Sequence, residues 1–164
     1  MADFDDLLAA NAAFAADFKF AGMPGVAGAG VTVLTCMDSR IDPLAVLGLQ
    51  TGDAKVVRNP GGRVTTQSME ALILAAQLLN TDRIVIMAHT RCAVGSSTEE
   101  QMRARLAESA GQDVSWLPLS ITSNQEQALI ADVAAVRSHP LIPDTVKVGG
   151  FIYDVETGLL KQYA

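Results

Sequence analysis

Three short apolar runs, VTVLTC at 31–36, AKVVR at 54–58 and RIVIMA at 83–88, alternate along the chain with segments of helical periodicity. Runs of this length, rich in Val, Ile and Thr and bounded by Gly, Asn or Asp, have the character of buried strands. Between the second and third, Met69, Leu72, Ile73, Ala76 and Leu79 or Leu78 recur at helical spacing, which predicts a helix over about 66–79. Thr65 or Thr66 offers it a hydroxyl N-cap. A second helix is predicted over about 124–138, stopped by His139-Pro140. The tail, 146–163, reads as strand, turn and strand, with Glu156-Thr157-Gly158 as the hairpin turn. Strands alternating with helices imply an α/β fold: a mostly parallel sheet with an antiparallel C-terminal strand and helices on both faces.

With 164 residues, no internal repeat and no linker-like tract, residues 1–164 read as a single domain long enough to bury a core. Apolar residues make up 49% and charged residues 18%, a balance that excludes disorder. A net charge of −6 speaks against a general nucleic-acid binder, since phosphate binding is driven by Lys and Arg. It leaves a small neutral or anionic substrate open, because a pocket can be locally positive on an acidic protein. The first residues, MADFDDLLAANAAF, carry acids where a secretory signal would carry Lys or Arg. No apolar run approaches the roughly 18–20 residues that cross a bilayer. The expectation is a cytoplasmic protein with no membrane part.

Residues 3–19 are predicted to form an amphipathic helix, with Phe4, Leu7, Leu8, Asn11, Phe14 and Phe18 at helical spacing. The turn-rich segment GMPGVAGAG at 22–30 follows it. Its phenylalanines exceed what a short lone helix needs, so they either pack on the sheet or contact another subunit.

The two cysteines, Cys36 and Cys92, would not form a structural disulfide in a reducing compartment. Metal binding, catalysis and inert burial remain. Sites in open parallel sheets form beyond the carboxyl ends of the strands. Cys36 ends the first predicted strand, His89 follows the third, and Cys92 lies three residues further on. Two sulfurs and one nitrogen form a ligand set suited to zinc, and three protein ligands leave a position for water. Each residue also has a plainer reading: cysteine is among the most buried residue types, and a His after a strand is commonly a hydrogen-bonded structural residue. On residue types and spacing alone, both readings stand.

The segment Cys36-Met-Asp38-Ser-Arg40 matches the C-x-D-x-R motif of the β-carbonic anhydrases, and His89-Thr-Arg-Cys92 matches their H-x-x-C motif. Between them, Arg58-Asn59-Pro-Gly61-Gly62 resembles the family's R-N-x-G segment, and Phe151 to Gly158 resembles its closing strands. Order, spacing and length agree from about residue 3 to residue 161. The chain resembles the compact branch of the family, some of whose members hydrolyse carbonyl sulfide or carbon disulfide. One difference stands out: Ala93 follows Cys92 where the family usually has Gly. Its Cβ and its lost freedom at positive φ bear on pocket shape, and so on substrate.

The resemblance implies one zinc held by Cys36, His89 and Cys92, and reversible hydration of carbon dioxide to bicarbonate by a zinc-bound hydroxide. It implies that Asp38 accepts a hydrogen bond from that nucleophile while Arg40 keeps the carboxylate off the metal. Two residues apart on an extended segment, their side chains share a face and can pair. Without Cys36 beside it, the pair would read as a surface ion pair. Two thiolates offset the metal's charge, so its water should be less acidic than in a three-histidine site, where the pKa is about 7. Gly61, Gly62 and Ala93 are candidate substrate-pocket residues; the Arg58–Gly62 segment is otherwise a structural turn. A homodimer built through the first helix is also implied. The alternatives are a carbonyl sulfide or carbon disulfide hydrolase using the same zinc site, and a non-catalytic zinc protein or bicarbonate sensor. His139 and Trp116 carry no specific signal.

Overall fold

A computed structural model describes residues 3–164. In chain order the elements are α1 (Asp5–Ala16), β1 (Val31–Cys36), α2 (Pro43–Val46), β2 (Ala54–Asn59), a 3₁₀ turn (Pro60–Gly62) and α3 (Thr66–Leu78). They continue with β3 (Arg83–His89), α4 (Glu99–Ala110), α5 (Gln125–Arg137), β4 (Lys147–Tyr153) and β5 (Leu160–Gln162). The strands form one sheet in the order β2-β1-β3-β4-β5. β1 pairs in parallel with β2 and β3, and β3 with β4; β5 returns antiparallel to β4. The hairpin between them turns at Asp154–Leu159, where the Asp154 N–H bonds the Leu159 carbonyl.

Every residue of β1 is buried, because two strands flank it and both faces are covered. One face carries Leu34, Ile84 and Ile86 against Leu72 of α3 and Leu129, Val133 and Val136 of α5. The other carries Val31, Val33 and Met87 against Ile41 and the α2 segment, with Val46, Leu47 and Leu49 partly buried. Each such aliphatic side chain, fully buried, stabilises the fold by about 1.5–3 kcal/mol. Thr65 is the residue that caps α3, its hydroxyl exchanging hydrogen bonds with Ser68 in a capping box. Along α3, Leu72 and Ala75 are buried, Met69, Ile73 and Ala76 pack on the core, and Leu78 faces outward.

The expected N-terminal helix is shorter than its pattern, ending at Ala16 before Phe18. No residue of α1 is buried; Phe4, Leu7, Leu8, Phe14 and Phe18 are all exposed large apolar side chains. Helix α4 was not anticipated. It has no buried residue and hence no apolar stripe, and its signal lay only in its ends: a Thr98–Gln101 capping box and left-handed Gly111. Among the described residues no helix is long and apolar enough to cross a membrane.

Candidate metal centre

The carboxyl ends of β1 and β3 lie side by side, and each delivers one donor. Cys36 is the last residue of β1 and His89 the last of β3. The chain turns sharply after His89, with Arg91 in the left-handed region at φ 55, and this brings Cys92 back to the same edge. One ligand atom from each of Cys36, His89 and Cys92 lies within 4.8 Å of the others, and all three residues are buried. The two sulfurs are 3.9 Å apart.

His89 is fully enclosed, at 0% exposure. Its Nδ1 lies 2.9 Å from the Thr90 carbonyl, which can only accept, so Nδ1 carries the hydrogen and Nε2 presents a lone pair. That Nε2 is the one buried side-chain nitrogen or oxygen, among the described residues, without a hydrogen-bond partner. An orphaned buried acceptor is costly unless something else binds it.

The sulfurs point the same way. Ionisation of Cys36 is pulled well below the ordinary thiol range by the Cys92 thiol, against the upward push of burial. The N–H groups of Asp38 and Gly61 add to the pull. Cys92 is pushed up, by Cys36 and by burial. One negative sulfur thus suppresses the other in a buried space, and a bound dication is what lets both ionise. The donor set and the unpartnered lone pair fit zinc.

Asp38 stands at the open side of the cluster, with Oδ2 3.8 Å from His89 Nε2. Arg40 holds it with a two-pronged pair, Nε to Oδ1 at 2.9 Å and Nη2 to Oδ2 at 2.7 Å. The route to that pair differs from the extended segment expected. The chain turns here: the Arg40 N–H bonds Asp38 Oδ1 and the Ile41 N–H bonds the Asp38 carbonyl. The local turn aligns the two side chains. Arg40 and its own N–H depress the Asp38 pKa below the usual carboxylate range. The Asp38 carboxylate in turn raises that of Arg40. Arg40 Nη2 also reaches the Arg91 carbonyl at 3.3 Å, linking the pair to the His89–Cys92 loop.

Arg58 has a role its motif did not reveal. Its Nε donates to the Cys36 carbonyl and its Nη2 to the Asp38 carbonyl, at 2.9 and 2.6 Å, bracing the strand end that carries both residues. Asn59 ties the turn that follows, accepting from the Arg63 N–H and donating to the Arg63 carbonyl. The Gly61 N–H lies 3.3 Å from Cys36 Sγ.

The three expected pocket residues border two spaces that adjoin at Val94. Gly61 and Gly62 are buried beside Val94 and Gly95 in a small enclosed pocket behind the metal edge. Ala93 is exposed and lines a groove of about 910 Å³ with Val57, Pro60, Met102, Leu106 and Ile121. Of the described non-glycine residues only Asn80 and Arg91 have positive φ, so Ala93 needs no glycine-like backbone. The His139 ring accepts from the Leu141 N–H, and Trp116 is exposed.

A family profile described as carbonic anhydrase matches residues 31–160. The β-carbonic anhydrase 1 of Mycobacterium tuberculosis is 29% identical over 158 residues, 96% of either chain. A carbon disulfide hydrolase of Acidianus sp. is 31% identical over 154 residues, covering 79% of this chain and 75% of that one. The crystal structure of carbonic anhydrase from Streptococcus mutans superposes with a TM-score of 0.91 at 33% identity, covering 100% of this chain and 99% of that one.

Proposed function

Because the chain belongs to the carbonic anhydrase family, we propose that it catalyses the zinc-dependent, reversible hydration of carbon dioxide to bicarbonate and a proton. The observation that carries this reading is Asp38, ionised and clasped by Arg40, at the open side of a Cys-His-Cys donor set. Cys36, His89 and Cys92 would hold zinc, which when bound would supply the positive charge that makes water acidic enough to act as nucleophile near neutral pH. Asp38 accepts a hydrogen bond from the attacking water through Oδ2 and orients its lone pair toward the substrate carbon. Arg40 occupies both carboxylate oxygens and so keeps Asp38 from binding the metal. Thr90 fixes the His89 tautomer, and Arg58 braces the backbone of Cys36 and Asp38.

A purely structural zinc site would have no use for an oriented carboxylate, which weighs against a non-catalytic protein or a bicarbonate sensor. The second reading that an observation favours is hydrolysis of carbonyl sulfide or carbon disulfide at the same site, given the carbon disulfide hydrolase among the relatives. These molecules are linear and electronically akin to carbon dioxide, so pocket shape is what discriminates. Residues 1–164 act in this reading as one cytoplasmic domain. The exposed large apolar side chains at α1, Phe4, Leu7, Leu8 and Phe14, support a homodimer.

Parallel steady-state assays on one preparation of known zinc content, with carbon dioxide, carbonyl sulfide and carbon disulfide, test the proposal. Hydration with the highest kcat/KM supports it. Faster release of sulfide moves the assignment to the hydrolase, and inactivity toward all three at full zinc content overturns both.

A further inference from the structure

Helix α5 contributes no ligand, yet it touches the loop after Cys92 and the turn whose Gly61 N–H reaches the Cys36 sulfur. At its start, Gln125 packs against Gly95, where a methyl group would meet Gln125 Nε2 at 2.7 Å and Cys92 Cβ at 3.3 Å. Two turns on, Asp132 faces the Pro60–Gly62 turn. Arg63 Nε donates to Asp132 Oδ2 at 2.6 Å and Nη2 to Oδ1 at 3.1 Å, while the Val64 N–H adds a third bond at 3.2 Å. The pair is well enclosed, with the Asp132 side chain 8% and that of Arg63 21% exposed.

The stem of Arg63 lies over Gly61, whose added Cβ would sit 3.3 Å from Arg63 Cγ. Gly62, between them, is pressed on the other side against the Thr35–Cys36 peptide. The turn is thus gripped between β1 and α5, and the group it offers to the site is the Gly61 N–H, aimed at Cys36 Sγ. A hydrogen bond to a ligating sulfur withdraws charge from it and tunes the metal.

We propose that the Arg63–Asp132 pair is a positioning clamp for the metal centre, setting the Gly61 N–H to Cys36 sulfur hydrogen bond from outside the ligand set. The inference rests on the metal reading above and assigns these residues no contact with substrate. Asp132→Asn keeps shape and removes the charge; Arg63→Gln removes the fork from the other side. In the cobalt(II)-substituted protein, both variants shift the thiolate-to-cobalt charge-transfer band relative to the parent. They also weaken metal affinity by roughly 10–100-fold in competition with a chelator. Val136→Ala, on the same helix and fully buried, is the control. It lowers the unfolding temperature and leaves band and affinity unchanged. A parental band and affinity in both clamp variants, with only lower unfolding temperatures, would reduce the pair to a structural role and overturn the proposal. A parent protein without any thiolate–cobalt band overturns the metal reading, and the clamp with it.

Discussion

Gly62→Ala is the substitution whose cost can be worked most directly from the structure. Gly62 has φ 65, in the left-handed region, and a Cβ there would lie 2.9 Å from both the Cys36 nitrogen and the Thr35 carbonyl carbon, and 3.1 Å from the Met87 carbonyl oxygen. All three are backbone atoms at the ends of β1 and β3, so no side chain can swing aside. Left-handed backbone costs a residue with a Cβ roughly 1–2 kcal/mol, and overpacking that forces a backbone shift costs about 1–3 kcal/mol more. The sum, about 2–5 kcal/mol, corresponds to a fall in Tm of roughly 5–15 °C for a chain of this size. Gly48→Ala isolates the first contribution, because Gly48 has φ 66 and nothing within 4 Å of an added Cβ. Urea and thermal unfolding of both zinc-loaded variants, at one protein concentration, give the comparison; fixed concentration matters because metal or a second subunit adds stability by mass action. Gly62→Ala should also lose zinc to a chelator faster, since any shift of the turn moves the Gly61 N–H off Cys36. Equal costs for the two substitutions, within about 0.5 kcal/mol, would refute the close packing of this turn on the metal edge.

Cys92→Ser should lose most of the one equivalent of zinc expected per chain, read by metal analysis; full retention would remove Cys92 from the ligand set. Asp38→Ala should keep zinc and lose about 10²–10⁴-fold in turnover, measured by stopped-flow hydration. Arg40→Ala should instead lose most activity at the lower pH and regain part of it as pH rises, because freed Asp38 competes with hydroxide for the fourth metal position; equal, pH-independent losses in the two variants would contradict the gating role. The folded Asp38 pKa is depressed, so the stability it contributes is present above the ordinary carboxylate value of about 3.9 and is lost as pH falls through the depressed value. The stability difference between parent and Asp38→Asn should therefore be flat above about pH 5 and shrink only in stronger acid. A chain lacking residues 1–20 should sediment as a smaller species than the full chain if α1 is the subunit contact.

The meeting of Cys36 and His89 was legible because a strand run fixes its own end: VTVLTC and RIVIMA put the two at the same edge once the sheet is parallel. Cys92 was legible only as proximity; what returns it to the site is the left-handed Arg91, and no residue type announces that. The Asp38–Arg40 pair was anticipated, but through an extended segment. The turn that forms it depends on Asp38 Oδ1 accepting from the Arg40 N–H, a local bond competing with strand geometry. Arg58 and Arg63 act at distances of 20 and 69 residues in sequence, on backbone carbonyls and on Asp132, and single-residue patterns carry no trace of such partners. Helix α1 shows the opposite case. Its apolar spacing is real, yet every one of those side chains is exposed in the single chain, so the pattern marks no part of this chain's core.

The charges of the site follow from the same residues. In the proposed zinc site the metal would bring +2 and the Cys36 and Cys92 thiolates would together remove it; Asp38 and Arg40 cancel each other, and His89 would bind as a neutral ring. With water in the fourth position such a site would be formally neutral, whereas a three-histidine site keeps the full charge of the metal. That neutrality has two opposing effects. It makes the nucleophile less acidic, so the protein needs Asp38 to orient what hydroxide there is. It would also remove the Coulomb hold on an anionic product: under the proposed hydration, bicarbonate leaving a neutral site on a chain of net charge −6 would meet no long-range attraction to return. The Asp38–Arg40 pair serves both ends at once, because splitting it in either direction changes the site charge by one. In the proposed mechanism, loss of Arg40 would free a carboxylate to compete for the metal, and loss of Asp38 would leave the guanidinium without its partner. The turn at Asp38–Ile41, with Arg40 reaching across to the Arg91 carbonyl, is what keeps both from happening.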